Sequence, residues 1–213
     1  MKTMLGCCLV VFLLVVPVRG DVMGSGSGFS IPDNNLAGVS STITFSESLL
    51  ITGNVVVTLE GMTHTWIGDL TATLIAPDNT SHDLFFRVGR ITTGAGDSSE
   101  FNGDYIFRDA VTDTLGNGND LWAEAGLGGD LYQLRGGEYR TTAANSAAFT
   151  SLDSTFAGLN TQGTWTLLMT DQAGNDVGSV GGWTLSMSAI PEPGSTFVLG
   201  GLGLAAWLVR RRR

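Results

Sequence analysis

The sequence predicts an all-β protein, an antiparallel β-sandwich or jelly roll, and three observations carry that reading. Apolar residues alternate with polar ones at period two over several short segments. Gly, Asn and Asp clusters separate these segments, and glycine reaches 30 of 213 residues, a turn-rich composition. No long stretch outside the two chain ends has helical periodicity. Short strands with one apolar face, divided by turn residues, fit two packed antiparallel sheets.

The elements follow in chain order. Residues 43–51 form a strand candidate. Residues 54–60 place Val55, Val57 and Leu59 on one face. Residues 69–76 place Leu70, Ala72 and Leu74 on one face with Thr71 and Thr73 opposite, and Pro77-Asp78-Asn79 then makes a turn. Residues 82–87, 105–108 and 131–134 are further strand candidates. The sequence predicts one short helical turn near residues 151–156. Residues 164–170 point Trp165, Leu167 and Met169 inward, and Trp183, Leu185 and Met187 repeat that spacing. Residues 171–182 join these last two strands, as a hairpin or as a crossing between sheets. Two such Trp each bury about 150–250 Å² and anchor the core.

Charge divides the chain more sharply than the overall −9 suggests. Lys2, Arg19 and Arg210, Arg211, Arg212 and Arg213 lie in the end segments. Five Arg remain against all 20 acidic residues, so the body from Asp21 to Pro193 carries −15 and has no Lys. Phosphate backbones repel such a body, which excludes nucleic acid as a partner. Without Lys there is no Walker A loop and no Schiff base. The two Cys, Cys7 and Cys8, lie in the first apolar run. If that run is removed, the body has neither disulfide nor thiolate.

Both ends read as addresses. Lys2, an apolar run over residues 5–16, Pro17 and small Gly20 form a signal peptide over residues 1–20, with cleavage after Gly20. Residues 21–30, rich in Gly and Ser, read as a flexible spacer. One β domain spans 31–189 and the tail spans 190–213. In that tail Pro191, Glu192 and Pro193 precede a short Gly-rich apolar segment that ends in Arg210 to Arg213. An apolar helix with a basic end inserts with that end in the cytoplasm. The tail resembles a PEP-CTERM sorting signal: a Pro-Glu-Pro motif, a short transmembrane helix and an Arg cluster. The resemblance implies export from a Gram-negative-type bacterium and transient anchoring in the membrane through that helix. It further implies processing by an exosortase and delivery to the cell surface or extracellular matrix.

The body carries a second resemblance. His64-Thr65-Trp66-Ile67-Gly68-Asp69-Leu70, then Pro77, then Gly163 and Trp165 with Asp171, then Asp176, Gly178 and Trp183 occur in the order of the proprotein convertase P domain (P/Homo B domain). This resemblance implies a galactose-binding-like β jelly roll, without a catalytic triad, that assists a protease. Residues 139–156 fit the family less well, and residues 115–129 look like a loop insertion. Any "serine-type endopeptidase" label attached to the domain belongs to full-length relatives.

The residues themselves offer little catalytic machinery. There is no Gly-x-Ser-x-Gly elbow and no His-Glu-x-x-His helix. His64 and His82 are the only histidines. His64 with Asp69 can be read as an acid/base pair. The plainer reading has Asp69 capping a loop through backbone N–H groups and His64 packing at a strand edge, and it is preferred.

The acidic Gly-rich loops raise structural calcium, which takes six to eight oxygen ligands. Asp171, Asn175 and Asp176 are the leading group, with Asp104, Asp109 and Asp113 behind it and no EF-hand spacing in either. The plain alternative is solvated loops that keep a secreted protein soluble. The sequence therefore predicts a non-enzymatic surface or matrix module. The competing readings are a glycan-binding module using Trp66, Trp122 or Tyr132, an accessory P domain for a separate secreted protease, and a hydrolase with a dispersed site.

Overall fold

The computed structural model describes residues 20–112, 115–128 and 131–192. The expected signal peptide apart from Gly20, most of the sorting tail with Pro193 and Arg210 to Arg213, and Asp113 lie outside the described residues. Among the described residues no helix is long and apolar enough to cross a membrane.

Nine strands form two sheets. The first has the order β1 (Gly20–Ile31), β9 (Gly178–Pro191), β3 (Leu49–His64), β6 (Phe101–Phe107) and β7 (Gly137–Tyr139). The second has the order β2 (Val39–Phe45), β8 (Gly163–Asp171), β4 (Leu70–Ile75) and β5 (Ser81–Phe86). All pairs are antiparallel except β6 with β7. The expected all-β sandwich is therefore present. Two five-residue helices, α1 (Leu121–Ala125) and α2 (Leu152–Phe156), lie outside the sheets. Helix α2 begins where the sequence places it. Its cap residue Ser151 accepts the Ser154 N–H at 2.9 Å, which satisfies one of the otherwise free amides of the first turn.

Period-two alternation located the strands with an apolar inner face. Val55, Val57 and Leu59 on β3, Leu70, Ala72 and Leu74 on β4, and Trp165, Leu167 and Met169 on β8 are fully enclosed, as are Trp183, Leu185 and Met187 on β9. Strands β8 and β9 belong to different sheets, so the segment between them crosses the sandwich and does not close a hairpin. Each strand contributes one Trp to the core, and each indole finds an acceptor. Trp165 Nε1 donates to the Thr161 carbonyl, and Trp183 Nε1 donates to Ser41 Oγ, both at 3.0 Å. The Pro77 turn joins β4 to β5, with Ala76 N–H donating to Thr80 O at 2.8 Å and Asn79 at φ +71°.

Three sequence expectations need correction. The strand candidate over residues 43–51 is two strands, because Ser46, Glu47 and Ser48 turn the chain from β2 into β3. Residues 131–134 form no strand and contribute one isolated bridge, Glu100 to Gln133. The Gly/Ser run at residues 21–30 is not a free spacer but most of edge strand β1. It pairs with β9 from Gly20 opposite Ala189 to Ile31 opposite Gly178.

The glycines of β1 are explained by what faces them. A Cβ on Gly24 would collide with Ile43, and one on Gly26 would collide with the Trp183 indole. Strand β1 thus lies flat against the core rim at a place with no room for side chains. The Ser41 hydroxyl crosses to the Ser27 carbonyl at 2.8 Å and ties the two sheet edges together.

Gly26→Ala is therefore expected to destabilise the domain by about 1–3 kcal/mol, the usual cost of overpacking, in a urea titration. Ser25→Ala, on the exposed face of the same strand, is expected to be near neutral. Equal midpoints for the two variants would restore the spacer reading.

Candidate functional site

A buried polar cluster lies where β3 and β8 end and β4 begins. His64 is the last residue of β3 and Asp171 the last of β8. Asp69 closes a single 3-10 turn, Ile67–Asp69, that leads into β4. Strand pairing sets this meeting, because Leu70 is registered opposite Asp171 and His64 opposite Gly178. Gly178 is required there, since a Cβ would meet the Thr63 carbonyl and lie 2.6 Å from His64 Cδ2. Gly68 packs its bare backbone against residues 95–97 and donates its N–H to Asp97 O at 3.0 Å.

The His64 and Asp171 side chains are both fully enclosed, with Nε2 3.3 Å from Asp171 Oδ2. The Trp66 N–H donates to His64 Nδ1 at 3.1 Å. With Nε2–H donating to the carboxylate, each ring nitrogen has a partner. Asp171 also accepts the Ala173 N–H at 3.1 Å. The acid/base pairing of His64 with Asp69 does not form, because His64 takes Asp171 instead. The expected loop cap at Asp69 is also corrected, because its carboxylate faces side chains. Asp69 Oδ1 lies 3.5 Å from Arg87 Nη2, is buried and has no hydrogen-bond partner. Arg87 is held by Nε donating to the Gly68 carbonyl at 2.8 Å.

Burial first, and then the nearby Asp171 charge, push the Asp69 carboxyl up to about 6 from 3.8. Arg87 opposes this and Asp176 reinforces it. Asp176 itself accepts the Thr65 hydroxyl at 2.8 Å. Outside this cluster opens a cleft of about 590 Å³, where Trp66, Asp69, Glu100, Leu131, Asn175 and Asp176 line the wall. Trp66 is fixed there by Nε1 donating to Ala95 O at 3.0 Å.

The described acidic residues of the two proposed calcium groups make hydrogen bonds within the domain. Asp171 serves His64, and the Asn175 N–H donates to Asp33 at 3.1 Å. Asp104 accepts the Gly61 N–H at 2.7 Å. Asp109 accepts the Leu152 N–H at 3.0 Å and the Ser151 hydroxyl at 2.5 Å, anchoring the start of α2. Among the described residues no group of three or more His, Cys, Asp or Glu could hold a metal.

His82 lies apart from this cluster, within reach of three threonine hydroxyls. Thr155 Oγ1 is 2.7 Å from Nδ1, while Thr141 Oγ1 and Thr150 Oγ1 are 2.9 and 3.1 Å from Nε2. Burial lowers its pKa, against the raising effect of Asp109 and Asp83.

Sequence reasoning missed Glu124, the hub of the Gly-rich segment before β7. It is fully buried in α1 and accepts from Arg135 Nη2 at 2.6 Å, Arg135 Nε at 2.8 Å, Asn117 at 2.7 Å and Tyr132 at 3.1 Å. A forked Arg–carboxylate contact of this kind orders a loop that is short of apolar residues. Of the aromatic residues suggested for glycan binding, Trp122 and Tyr132 are half-buried against the core and Trp66 lines the cleft.

Because the raised Asp69 pKa means the folded state holds that proton more tightly than the unfolded chain, the resulting stability is full below about 3.8 and lost as pH rises through about 6. Asp69→Asn is therefore expected to melt about 3 °C above wild type at pH 7.5 and to match it near pH 4. A wild-type advantage at pH 7.5 would show that the Arg87 ion pair outweighs the burial.

The family model of the proprotein convertase P-domain matches residues 120–187, and that of the PEP-CTERM protein-sorting motif matches residues 189–213. The first match takes in Gly163, Trp165, Asp171, Asp176, Gly178 and Trp183 but not the segment from His64 to Pro77. No curated protein matches the chain. Two solved structures are similar, both of a serine protease from Aeromonas sobria, one of them in complex with its chaperone. The complex is 16% identical and the protease alone 15%, each with a TM-score of 0.44 over 82% of this chain and 28% of the other. At that score the likeness supports no argument, and the chain spans little more than a quarter of those proteins. The chain thus carries a PEP-CTERM protein-sorting motif at residues 189–213 and, directly before it, a proprotein convertase P-domain segment at residues 120–187.

Proposed function

We propose that this protein is an exported, non-catalytic surface or matrix module whose β-sandwich is carried to its destination by the sorting tail. Exosortase, the enzyme that recognises this kind of motif, is then the partner that processes the tail. The observation that carries the reading is continuity. The sorting motif begins inside the last strand of the sandwich, since Pro191 is the final residue of β9.

The non-catalytic part of the reading is supported by how the histidines are used. His64 is enclosed with Asp171, and His82 is surrounded by threonine hydroxyls. General-base catalysis needs a histidine within reach of a nucleophile that substrate can approach. The acidic body, at −15, suits a secreted module kept soluble by charge. The P-domain match favours a second reading, an accessory module for a separate secreted subtilisin-like protease, with proteolysis belonging to that enzyme.

The test is fractionation of cells expressing the full chain with Pro191, Glu192 and Pro193 either intact or replaced by Ala. The intact chain is expected in the surface or matrix fraction with a shortened mass. The variant is expected to remain with the membrane at full mass. Identical distribution and mass for both would overturn the sorting reading.

A further inference from the structure

The end of the sandwich that meets the sorting motif is built to hold it. Strand β3 pairs with β9 up to the motif itself: Ile51 lies opposite Ala189, Leu50 opposite Ile190 and Leu49 opposite Pro191. Strand β1 reaches only to Gly20 opposite Ala189, so among the described residues β3 alone flanks the last two residues of β9. The next residue, Glu192, turns its carboxylate back onto the domain. Asn160 Nδ2 donates to Glu192 Oε1 in a very short contact, and Ser48 Oγ donates to the same oxygen at 3.1 Å.

Both donors are fixed by other bonds. The Asn160 side-chain oxygen accepts the Gln162 N–H at 2.7 Å, which points the Asn160 amino group at Glu192. That amino group also donates to Ser48 Oγ at 2.7 Å. The Asn160 backbone bridges to Leu50, and Thr161 N–H donates to the Leu49 carbonyl at 2.8 Å. Thr161 Oγ1 in turn donates to Glu47 O at 2.6 Å and accepts the Leu49 N–H at 3.1 Å. The loop before β8 and the start of β3 therefore form one rigid cradle, and two side-chain donors in it converge on a single carboxylate oxygen.

An enzyme that acts on a chain segment needs that segment free of its own fold, and the rate then follows the population of the opened state. Glu192 cannot rest in the cradle and be presented to a processing enzyme at the same time. We propose that Ser48 and Asn160 form a docking site for the sorting motif's own Glu192, which withholds the motif from exosortase until this end of β9 opens. The proposal rests on the sorting reading given above. Opening breaks two hydrogen bonds to an ionised group and frees Ile190 and Pro191 from β3. Weakening the cradle should therefore speed processing without altering the motif that the enzyme reads.

The experiment uses the full chain in a host that contains exosortase, with pulse-labelling and conversion of the full-length form to the shortened form followed by mass. Ser48→Ala and Asn160→Ala are expected to shorten the half-time about tenfold, as for loss of one hydrogen bond to a charged group. Asn160→Asp, which sets a second carboxylate against Glu192, is expected to shorten it further. Glu124→Gln, which loosens the domain far from the cradle, controls for general destabilisation and is expected to leave the half-time unchanged.

Three results overturn the proposal: half-times for Asn160→Ala and Asn160→Asp equal to or longer than wild type, acceleration by Glu124→Gln as large as theirs, or a wild-type chain that is never shortened. The last result removes the sorting reading as well. In the first two the wild-type chain is shortened, and the sorting reading stands while the cradle fails. A chain whose half-time responds only to the cradle variants supports both.

Discussion

The structure depends on the placement of β9 between β3 and β1. The last strand in sequence is an inner strand of the larger sheet, so each of its edges completes backbone hydrogen bonds that would otherwise be left to water. It also delivers Trp183, Leu185 and Met187 to the core and closes over the glycines of β1. Strand β1, whose inward positions at its middle are Gly24 and Gly26, pairs among the described residues with β9 alone. The sandwich is therefore incomplete until the segment just before the sorting tail is in place. This couples the first and last strands of the sandwich, since Gly20 and Ala189 face each other across the sheet.

A second constraint is electrostatic. Asp69 and Asp171 are enclosed near a single guanidinium, Arg87, and Asp176 adds a further negative charge. Burying carboxylates without full pairing costs stability, and here the cost appears as the raised Asp69 pKa. The arrangement places buried charge directly behind a cleft that holds Trp66 and further carboxylates. By contrast, Glu124 satisfies its burial with a forked contact to Arg135 and holds its carboxyl below the usual range, although burial alone pushes the other way. Glu124 and Asp69 differ because Glu124 has donors at bonding distance on both oxygens, whereas Asp69 Oδ1 has none.

Much of the sandwich was legible because period-two alternation is a local signal. Strands β4, β8 and β9 each show it within six to eight residues, with threonine or serine on the outer face. Strand β1 was hidden because its inner positions are Gly24 and Gly26, and nothing local reveals that an indole approaches from β9. The turn between β2 and β3 was also hidden, because Ser46, Glu47 and Ser48 interrupt an otherwise apolar run too briefly to read as a break. At the polar cluster, His64 and Asp69 are close in sequence and invite pairing. The actual partner of His64, Asp171, is 107 residues away and is brought there by strand ends. Asp109 and Asp104 looked like ligands because acidic residues in Gly-rich loops resemble a cation site. Each accepts backbone amides of a neighbouring segment.

By itself, the sequence determined the all-β class, the inner face of the main strands, the acidity of the body and the character of its tail. These follow from composition and short-range spacing, which need no knowledge of distant partners. Only the tertiary structure decided the partner of each buried charge, the role of the Gly/Ser strand and the capture of Glu192 by Ser48 and Asn160. The pairing of His64 with Asp171 and the capture of Glu192 by Ser48 bridge more than 100 residues of sequence, and no local pattern encodes which side chains two strand ends bring within hydrogen-bond distance.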